Sequence, residues 1–305
     1  MLYVVATPIG NLEDLSARAL RILSEVAVIA CEDTRHSARL LAANSIRTPS
    51  LSYFEHNEER RTPELIERLA RGENVALITD AGTPAISDPG YRLVRAALAA
   101  GIRVAAIPGP SAAIAALSIA GMPTDRFTFE GFLPSRAGAR RNAIAALKRE
   151  PRTMVFYEAA RRLAGTLADL TAVFGAGREA AVAREITKTF EETVRGTLAE
   201  LHARFAAAEP RGEIVLIVAG ASAAALRVAA PTGSTDDAEE SSADDAGDDA
   251  ALTVEGVGGI AITVEALCDA GVSLKDASAA VARLTGTSRR DVYQQTLARR
   301  KRDHG

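Results

Sequence analysis

Cysteine is nearly missing from this chain. The two present in 305 residues, Cys31 and Cys268, are too few and too far apart for a disulfide framework or a four-thiolate zinc site. His36, His56, His202 and His304 show no ligand spacing, so no metal is expected. No uncharged apolar run reaches the roughly 18 residues a membrane-spanning helix needs. The opening Met1-Leu2-Tyr3-Val4-Val5-Ala6-Thr7-Pro8 lacks the basic start of a secretory signal and reads as a first strand. The expected compartment is therefore the cytosol, with no membrane partner. There is no Gly-x4-Gly-Lys-[Ser/Thr] run, which excludes a P-loop, and no Gly-x-Ser-x-Gly elbow. His56-Asn57-Glu58 has the His-x-Glu of zinc deaminases without their Pro-Cys-x-x-Cys partner. Gly175-Ala176-Gly177-Arg178-Glu179-Ala180 matches a dinucleotide fingerprint by letter only. It follows a helical pattern and precedes a strand, the reverse of the required order, and reads as a helix C-cap turn.

What is present is an ordinary globular composition: 48% hydrophobic, 25% charged, mean hydropathy +0.05. The net charge of -3 conceals an asymmetry. Residues 231–250 hold eight Asp/Glu and no Lys/Arg, so the remainder is mildly basic, and residues 289–305 hold six Lys/Arg against two Asp. An anionic partner is permitted but not required. Only four of the 36 basic residues are lysine. Codon bias in a GC-rich genome accounts for most of that, and an arginine-rich surface also suits bidentate phosphate contacts.

At about 100–200 residues per domain, the length predicts two compact units plus a tail. Leu2–Ala6, Val26–Cys31, Val75–Thr79 and Val104–Ile107 are continuously apolar, as in parallel strands covered on both faces. Helical patterns fall at about 13–24, 34–43, 63–71, 90–100 and 111–120, and the alternation defines an α/β layer. A second set of strands follows at Thr128–Phe132, Met154–Tyr157, Ala181–Ile186, Thr193–Thr197 and Ile214–Ala219, with helices at about 136–149, 160–173 and 198–207. The boundary is expected near Ala120-Gly121-Met122-Pro123, giving α/β domains 1–120 and 121–220. Residues 221–255 are Ala, Ser, Gly and acid without aromatics, and read as a flexible acidic linker. Residues 256–305 form a basic helical tail. It resumes at Thr263–Ala270, and Ser273-Leu274-Lys275-Asp276 has the form of a capping box. Gly286 is a plausible stop, and Ser288 can cap a last helix through Val292, Leu297 and Arg300. The pair reads as a helix-turn-helix or, equally, as an interaction or dimerisation appendage.

Four Gly/Pro-rich turns lie at the C-terminal ends of the expected parallel strands, where open α/β sheets bind ligands. They are Ala6–Leu12, Glu32–Ser37, Asp80–Gly90 and Pro108–Ala112. Such turns leave main-chain amides and carbonyls preset for a flat polar ligand. Ser111 can cap the following helix or meet a ligand carboxylate. Glu32, Asp33, Arg35 and His36 put four ionisable residues in one strand-end turn, which favours a site.

These blocks, from Leu2–Asp14 through Glu32–Arg35, Thr79–Gly90 and Pro108–Ala112, resemble the tetrapyrrole-methylase superfamily, and within it the branch of 16S ribosomal RNA (cytidine-2′-O)-methyltransferases. Phe156-Tyr157-Glu158, Ala183–Lys188 and the Ser273–Leu297 tail fit the same pattern. Tetrapyrrole enzymes typically carry Gly-x-Gly-Pro-Gly-Asp and Gly-Asp-Pro where this chain has Pro8-Ile9-Gly10-Asn11 and Ala81-Gly82-Thr83-Pro84. Two departures stand out: Ala159-Ala160-Arg161-Arg162 replaces the more usual Ser-Pro-His-Arg, and the 231–250 acidic insert looks private to this chain.

The resemblance implies two α/β domains with S-adenosylmethionine in the cleft between them, a small C-terminal helical domain, and a homodimer. Carried over by position, Pro8, Ile9, Asp80, Ala81, Ile86, Ser111 and Ala112 would line the cofactor pocket, with Tyr157 and Ala183 closing it. The implied substrate is 16S ribosomal RNA, free or in the small ribosomal subunit. The implied reaction is in-line attack of a ribose 2′-oxygen on the sulfonium methyl. A base, or a cation beside the developing alkoxide, should help, and Asp33 and Glu32 with Arg35 or Lys188 are the candidates. Arg136–Arg141 and Arg289–Arg302 are the candidate phosphate contacts. A tetrapyrrole or other small-molecule methyltransferase of the same fold is the first alternative. A non-enzymatic nucleic-acid binder using the tail is the second.

Overall fold

A computed structural model describes residues 1–222 and, beyond them, 254–255, 261–262, 264, 273–285, 288, 290, 292–294 and 296. These residues fall into two compact units, one within 1–233 and one within 234–305.

The first unit holds two five-stranded sheets. In the first, β1 (Leu2–Val5), β2 (Val28–Cys31), β3 (Ser50–Ser52), β4 (Val75–Leu77) and β5 (Val104–Ile107) run parallel in the order β3-β2-β4-β1-β5. The central strands β2 and β4 are buried along their whole length, as their unbroken apolar runs require. Crossover helices cover both faces: α1 (Ala17–Glu25), α2 (Thr34–Ala43), α3 (Glu58–Ala70) and α4 (Tyr91–Ala99). Ser16 caps α1 by accepting from the Ala19 amide, and Asp33 caps α2 by accepting from the Arg35 amide.

α5 (Ala112–Ala120) follows β5 in sequence but packs on the second sheet. Its Ala113, Ala116, Leu117 and Ala120 share a core with Val155, Ala181, Ala183, Val215 and Ile217. Gly121 ends the helix in the left-handed conformation that glycine adopts without strain. The second sheet comprises β6 (Phe127–Phe132), β7 (Thr153–Ala159), β8 (Glu179–Arg184), β9 (Glu192–Thr197) and β10 (Glu213–Val218), in the order β6-β7-β10-β8-β9. Only β6 and β7 are parallel, and the remaining pairs are antiparallel. α6 (Ala137–Ala146), α7 (Leu163–Phe174) and α8 (Leu198–Ala207) cover its other face around Phe156, Leu167, Leu201 and Leu216. Gly175 terminates α7 at φ +95°, so the Gly-Ala-Gly run is a helix-ending turn.

Three differences from the sequence reading have local causes. β3 was not expected. It carries a single apolar residue, Leu51, because an edge strand has one side to pair and little to bury. α1 starts at Ala17, since Leu12–Asp14 form a 3-10 turn and Ser16 supplies the cap. α3 begins at Glu58 and runs through Pro63, where the sequence marked a start. Tertiary contacts upstream outweigh the lost amide: Glu58 is buried and Tyr53 Oη meets Thr62 Oγ1 at 2.9 Å.

In the second unit, Val254–Glu255 and Ala261–Ile262 form a short antiparallel pair, β11 and β12. α9 (Leu274–Thr285) follows, with Ser273 Oγ accepting from the Asp276 amide and donating to its carboxylate. Ala277, Val281 and Ala282 pack with Val264 and Val292. The expected linker lies outside the described residues apart from its ends, as do most of residues 263–270, the Gly286 stop, Leu297, Arg300 and the other terminal basic residues except Arg290.

Candidate functional site

The C-terminal ends of the parallel strands carry turns that are laced together. The Thr7 amide donates to the Gly82 carbonyl at 2.8 Å and the Gly82 amide returns the bond at 3.1 Å. Thr7 Oγ1 donates to the Thr79 carbonyl, and Thr83 Oγ1 to the Pro110 carbonyl, both at 3.1 Å. The Asp33 amide donates to Asp80 Oδ1 at 3.2 Å. Ala6 and Gly109 approach so closely that a Cβ on Gly109 would stand 3.0 Å from that of Ala6. The Asp80–Gly90 turn holds Ala85 and Ser87 at φ +68° and +64°, conformations that cost side-chain-bearing residues about 1 kcal/mol or more each. Its far end is pinned where the Gly90 amide donates to buried Glu58 at 2.9 Å.

Between these turns and the second sheet lies a cleft of about 410 Å³, in the range that encloses a small organic ligand. Ile9, Ala81, Ile86, Ser111, Ala112 and Tyr157, six of the nine cofactor positions taken from the sequence, line it. Pro8 is buried, Asp80 receives the Asp33 amide, and Ala183 is fully buried in β8, and none of the three is on the wall. Ser111 makes no capping bond to α5. The Tyr157 phenol holds its proton more tightly than usual, chiefly because it is buried, with Ser111 and the Ala113 amide acting in the opposite direction.

The four catalytic candidates are placed off this wall. Glu32 accepts from Thr79 Oγ1 at 3.0 Å. Asp33 caps α2 and pairs with Arg35 at 3.0 Å, and hydrogen bonds from Arg35 pull its carboxyl down to about 2. The Arg35 side chain is 90% exposed, which leaves that pair in solvent. Lys188 is held by Glu185 at 3.0 Å and Glu213 at 3.1 Å. A lysine neutralised by two carboxylates is a clamp between β-strand ends rather than a free electrophile.

The sequence reading missed Asp88, which lines the cleft. Desolvation lifts its carboxyl from 3.8 to about 6, opposed by a hydrogen bond with Thr79 and reinforced by the charges of Glu32 and Asp80. The available signal was its place within Asp80–Gly90, but a lone aspartate in a glycine-proline turn also serves simply as a turn residue. Glu158 lines the cleft too, buried, accepting from Thr166 Oγ1 at 2.6 Å and paired with Arg162 at 3.2 Å. Ile186 and Val215 complete an apolar wall that only the folded second sheet assembles, and Phe132, more than half exposed, stands at its rim. Among the described residues no group of three or more His, Cys, Asp and Glu could hold a metal ion, and no helix is long and apolar enough to cross a membrane.

The fold, a parallel sheet followed by a mixed sheet, is shared with solved methyltransferases. The chain overlays uroporphyrin-III-C-methyltransferase from Thermus thermophilus with TM-score 0.53 and 23% identity, over 72% of this chain and 93% of that one. The methyltransferase CobJ overlays with TM-score 0.54 and 19% identity, over 72% and 94%. A further Thermus thermophilus uroporphyrin-III C-methyltransferase structure, complexed with S-adenosylhomocysteine, overlays with TM-score 0.50 and 22% identity, over 74% and 98%. Residues 1–202 match the Tetrapyrrole (Corrin/Porphyrin) Methylases family, and the chain belongs to that family. Residues 261–300 match the RsmI C-terminal helix-turn-helix domain. Ribosomal RNA small subunit methyltransferase I of Pseudomonas aeruginosa is 49% identical over 300 residues, covering 98% of this chain and 97% of that protein. The protein of the same name from Escherichia coli O157:H7 is 50% identical over 221 residues, covering 72% and 77%.

Proposed function

We propose that this protein is an S-adenosylmethionine-dependent methyltransferase of small-subunit ribosomal RNA, acting on the ribose 2′-oxygen of a cytidine in the decoding region. The observation that carries the reading is likeness along the whole chain, tail included, to proteins named for that RNA. The fold alone, shared at low identity with uroporphyrin enzymes, carries no substrate. We take the protein to work in the cytoplasm as a homodimer. Residues 1–120 would supply the strand-end turns and 121–220 the closing wall. The 221–255 segment would serve as tether, and 256–305 as an RNA-holding domain acting with Arg136–Arg141.

The cleft fits the cofactor on its own chemistry. Ile9, Ala81, Ala112, Ile186 and Val215 offer apolar surface to a purine, the turns offer main-chain groups to its polar edges, and Asp88 offers negative charge to a sulfonium. Bound there, S-adenosylmethionine supplies a methyl group activated by positive charge on sulfur. The chain's part is alignment, exclusion of water and management of one proton. Rigid lacing of the turns through Thr7, Gly82, Thr83 and Pro110 holds the wall in place before a ligand arrives. Asp88 is the carboxylate suited to take the ribose hydroxyl proton. It lies in the cleft, and a value of about 6 leaves it ionised at neutral pH yet more basic than an ordinary aspartate. Glu32 and Asp80 support it through the field they exert, while Asp33, Arg35 and Lys188 serve the framework. Mass spectrometry of 16S ribosomal RNA from cells with and without the gene tests the reading. One ribose methyl on one cytidine should disappear, and an unchanged methylation map would overturn it.

A further inference from the structure

β6 is an edge strand that pairs only with β7, so its side chains should alternate between the two faces of the sheet. Phe127 and Phe129 stand opposite Thr153 and Val155, on the face that also carries Tyr157. Strict alternation would send Phe132 to the other face. Instead the register slips by one residue between Phe129 and Gly131, and Phe132 stands opposite Tyr157. Gly131 absorbs the slip at φ +63°, a bulge that re-aims the following side chain. The Phe132 ring centre lies 5.5 Å from that of Tyr157, and the Phe129 ring meets Tyr157 edge-on at 5.0 Å. Of the three phenylalanines on this face only Phe132 lines the cleft, and the residue is 58% exposed.

The placement is braced. Leu133 is buried, and Arg162 Nη2 donates to the Leu133 and Pro134 carbonyls at 2.6 and 3.1 Å while the same guanidinium is paired with Glu158. A bulge, a left-handed glycine and a buried ion pair thus hold a large apolar ring out in water at the rim of the site. Just beyond, exposed Arg136 leads into α6, where Arg140 pairs with Asp169 at 2.8 Å and Arg141, its side chain 58% exposed, stands 3.8 Å from the same carboxylate.

We propose that Phe132 is the platform on which the base of the acceptor nucleotide stacks, with phosphates of the same strand met by Arg136 and Arg141. The proposal rests on the ribosomal RNA reading above. A cleft of about 410 Å³ suits one nucleoside-sized donor, so the acceptor's base belongs at the rim with its ribose turned inward. An aromatic face stacks any base, so Phe132 contributes placement and affinity, and it needs a nucleotide splayed out of the RNA.

The test uses the full chain with small-subunit ribosomal RNA from cells lacking the gene. Phe132→Ala should raise the KM for RNA about tenfold, the usual scale for losing one stacked base. Its affinity for S-adenosylhomocysteine by calorimetry should stay within about twofold of wild type by the same reasoning. Phe132→Tyr should restore the KM, and Phe132→Leu, apolar without a π face, should not. Pyrrolocytidine at the methylated position should be quenched on binding wild-type protein and brighter with Phe132→Ala. An unchanged KM, or full rescue by leucine, would overturn the proposal. A parallel loss of S-adenosylhomocysteine affinity would make Phe132 a wall of the donor site and overturn it equally. Wild-type protein inert toward the RNA while active on a porphyrinoid would sink the parent reading and this proposal together.

Discussion

Replacing Asp88 with asparagine should make the protein more stable at neutral pH and leave it unchanged in acid. The folded carboxyl keeps its proton up to about 6, whereas an ordinary aspartate releases it near 3.8. Between those values the folded state binds the additional proton, so stability falls as pH rises through the window and stays reduced above it. Two pH units correspond to about 3 kcal/mol for a fully shielded group. Asp88 is only partly buried, and solvent screening brings the expected penalty to about 1–1.5 kcal/mol. Asparagine keeps the shape and can keep a hydrogen bond with Thr79. Urea unfolding of both proteins from pH 4 to pH 8 should give curves that coincide at the acid end and separate by about 1 kcal/mol at pH 8, the variant lying above. Parallel curves, or a variant less stable at pH 8, would refute the desolvation account of the site. Methyl transfer should fall in the same variant, because the added stability comes from removing the proposed proton acceptor.

Arg162→Ala leaves Glu158 buried without its cation and should lower stability by about 3 kcal/mol in guanidinium unfolding; a loss below about 1 kcal/mol would show that Thr166 and the Ala159 amide suffice for that carboxylate. Gly10→Ala should cost about 1–3 kcal/mol by thermal or chemical melting and weaken S-adenosylmethionine binding. Its Cβ would stand 2.8 Å from Thr187 Oγ1 and 3.1 Å from the Ile186 carbonyl, forcing apart two segments that carry cleft residues. Removing residues 256–305 should weaken ribosomal RNA binding in a filter assay and leave S-adenosylmethionine affinity nearly unchanged; undiminished RNA binding would count against the tail as a binding module.

The inner strands of the parallel sheet were legible because burial on both faces demands unbroken apolar runs, as in Val28–Cys31 and Val75–Leu77. Helices with side-chain caps were legible too: Asp33 opens α2, and Thr197 with Glu200 boxes α8. β3 escaped because an exposed edge needs no pattern. The strand-end turns of the cleft could be read because glycine and proline punctuate them. Its opposite wall could not, since Ile186 and Val215 lie far apart in the chain and meet only through sheet pairing, and Phe132 reaches the rim only through a bulge. Ionisable density marks Glu32–His36, where Asp33 caps a helix and holds Arg35, whereas Asp88 draws its character from desolvation, which no linear spacing encodes.

Helix α5 leaves the last parallel strand but is moored to the other sheet, and Arg195 of β9 donates to the carbonyls of Ile119 and Ala120 at its end. The crossover at Gly121–Pro123 therefore travels with the second sheet and has no freedom to bend against it. Any swing that widens the mouth for a bulky polymer must turn about Pro108-Gly109-Pro110, where two rings restrict the pivot and one small residue permits it. Giving Gly109 a side chain would stiffen that point and also set a Cβ 3.0 Å from that of Ala6, pressing the pivot against the turn that follows β1.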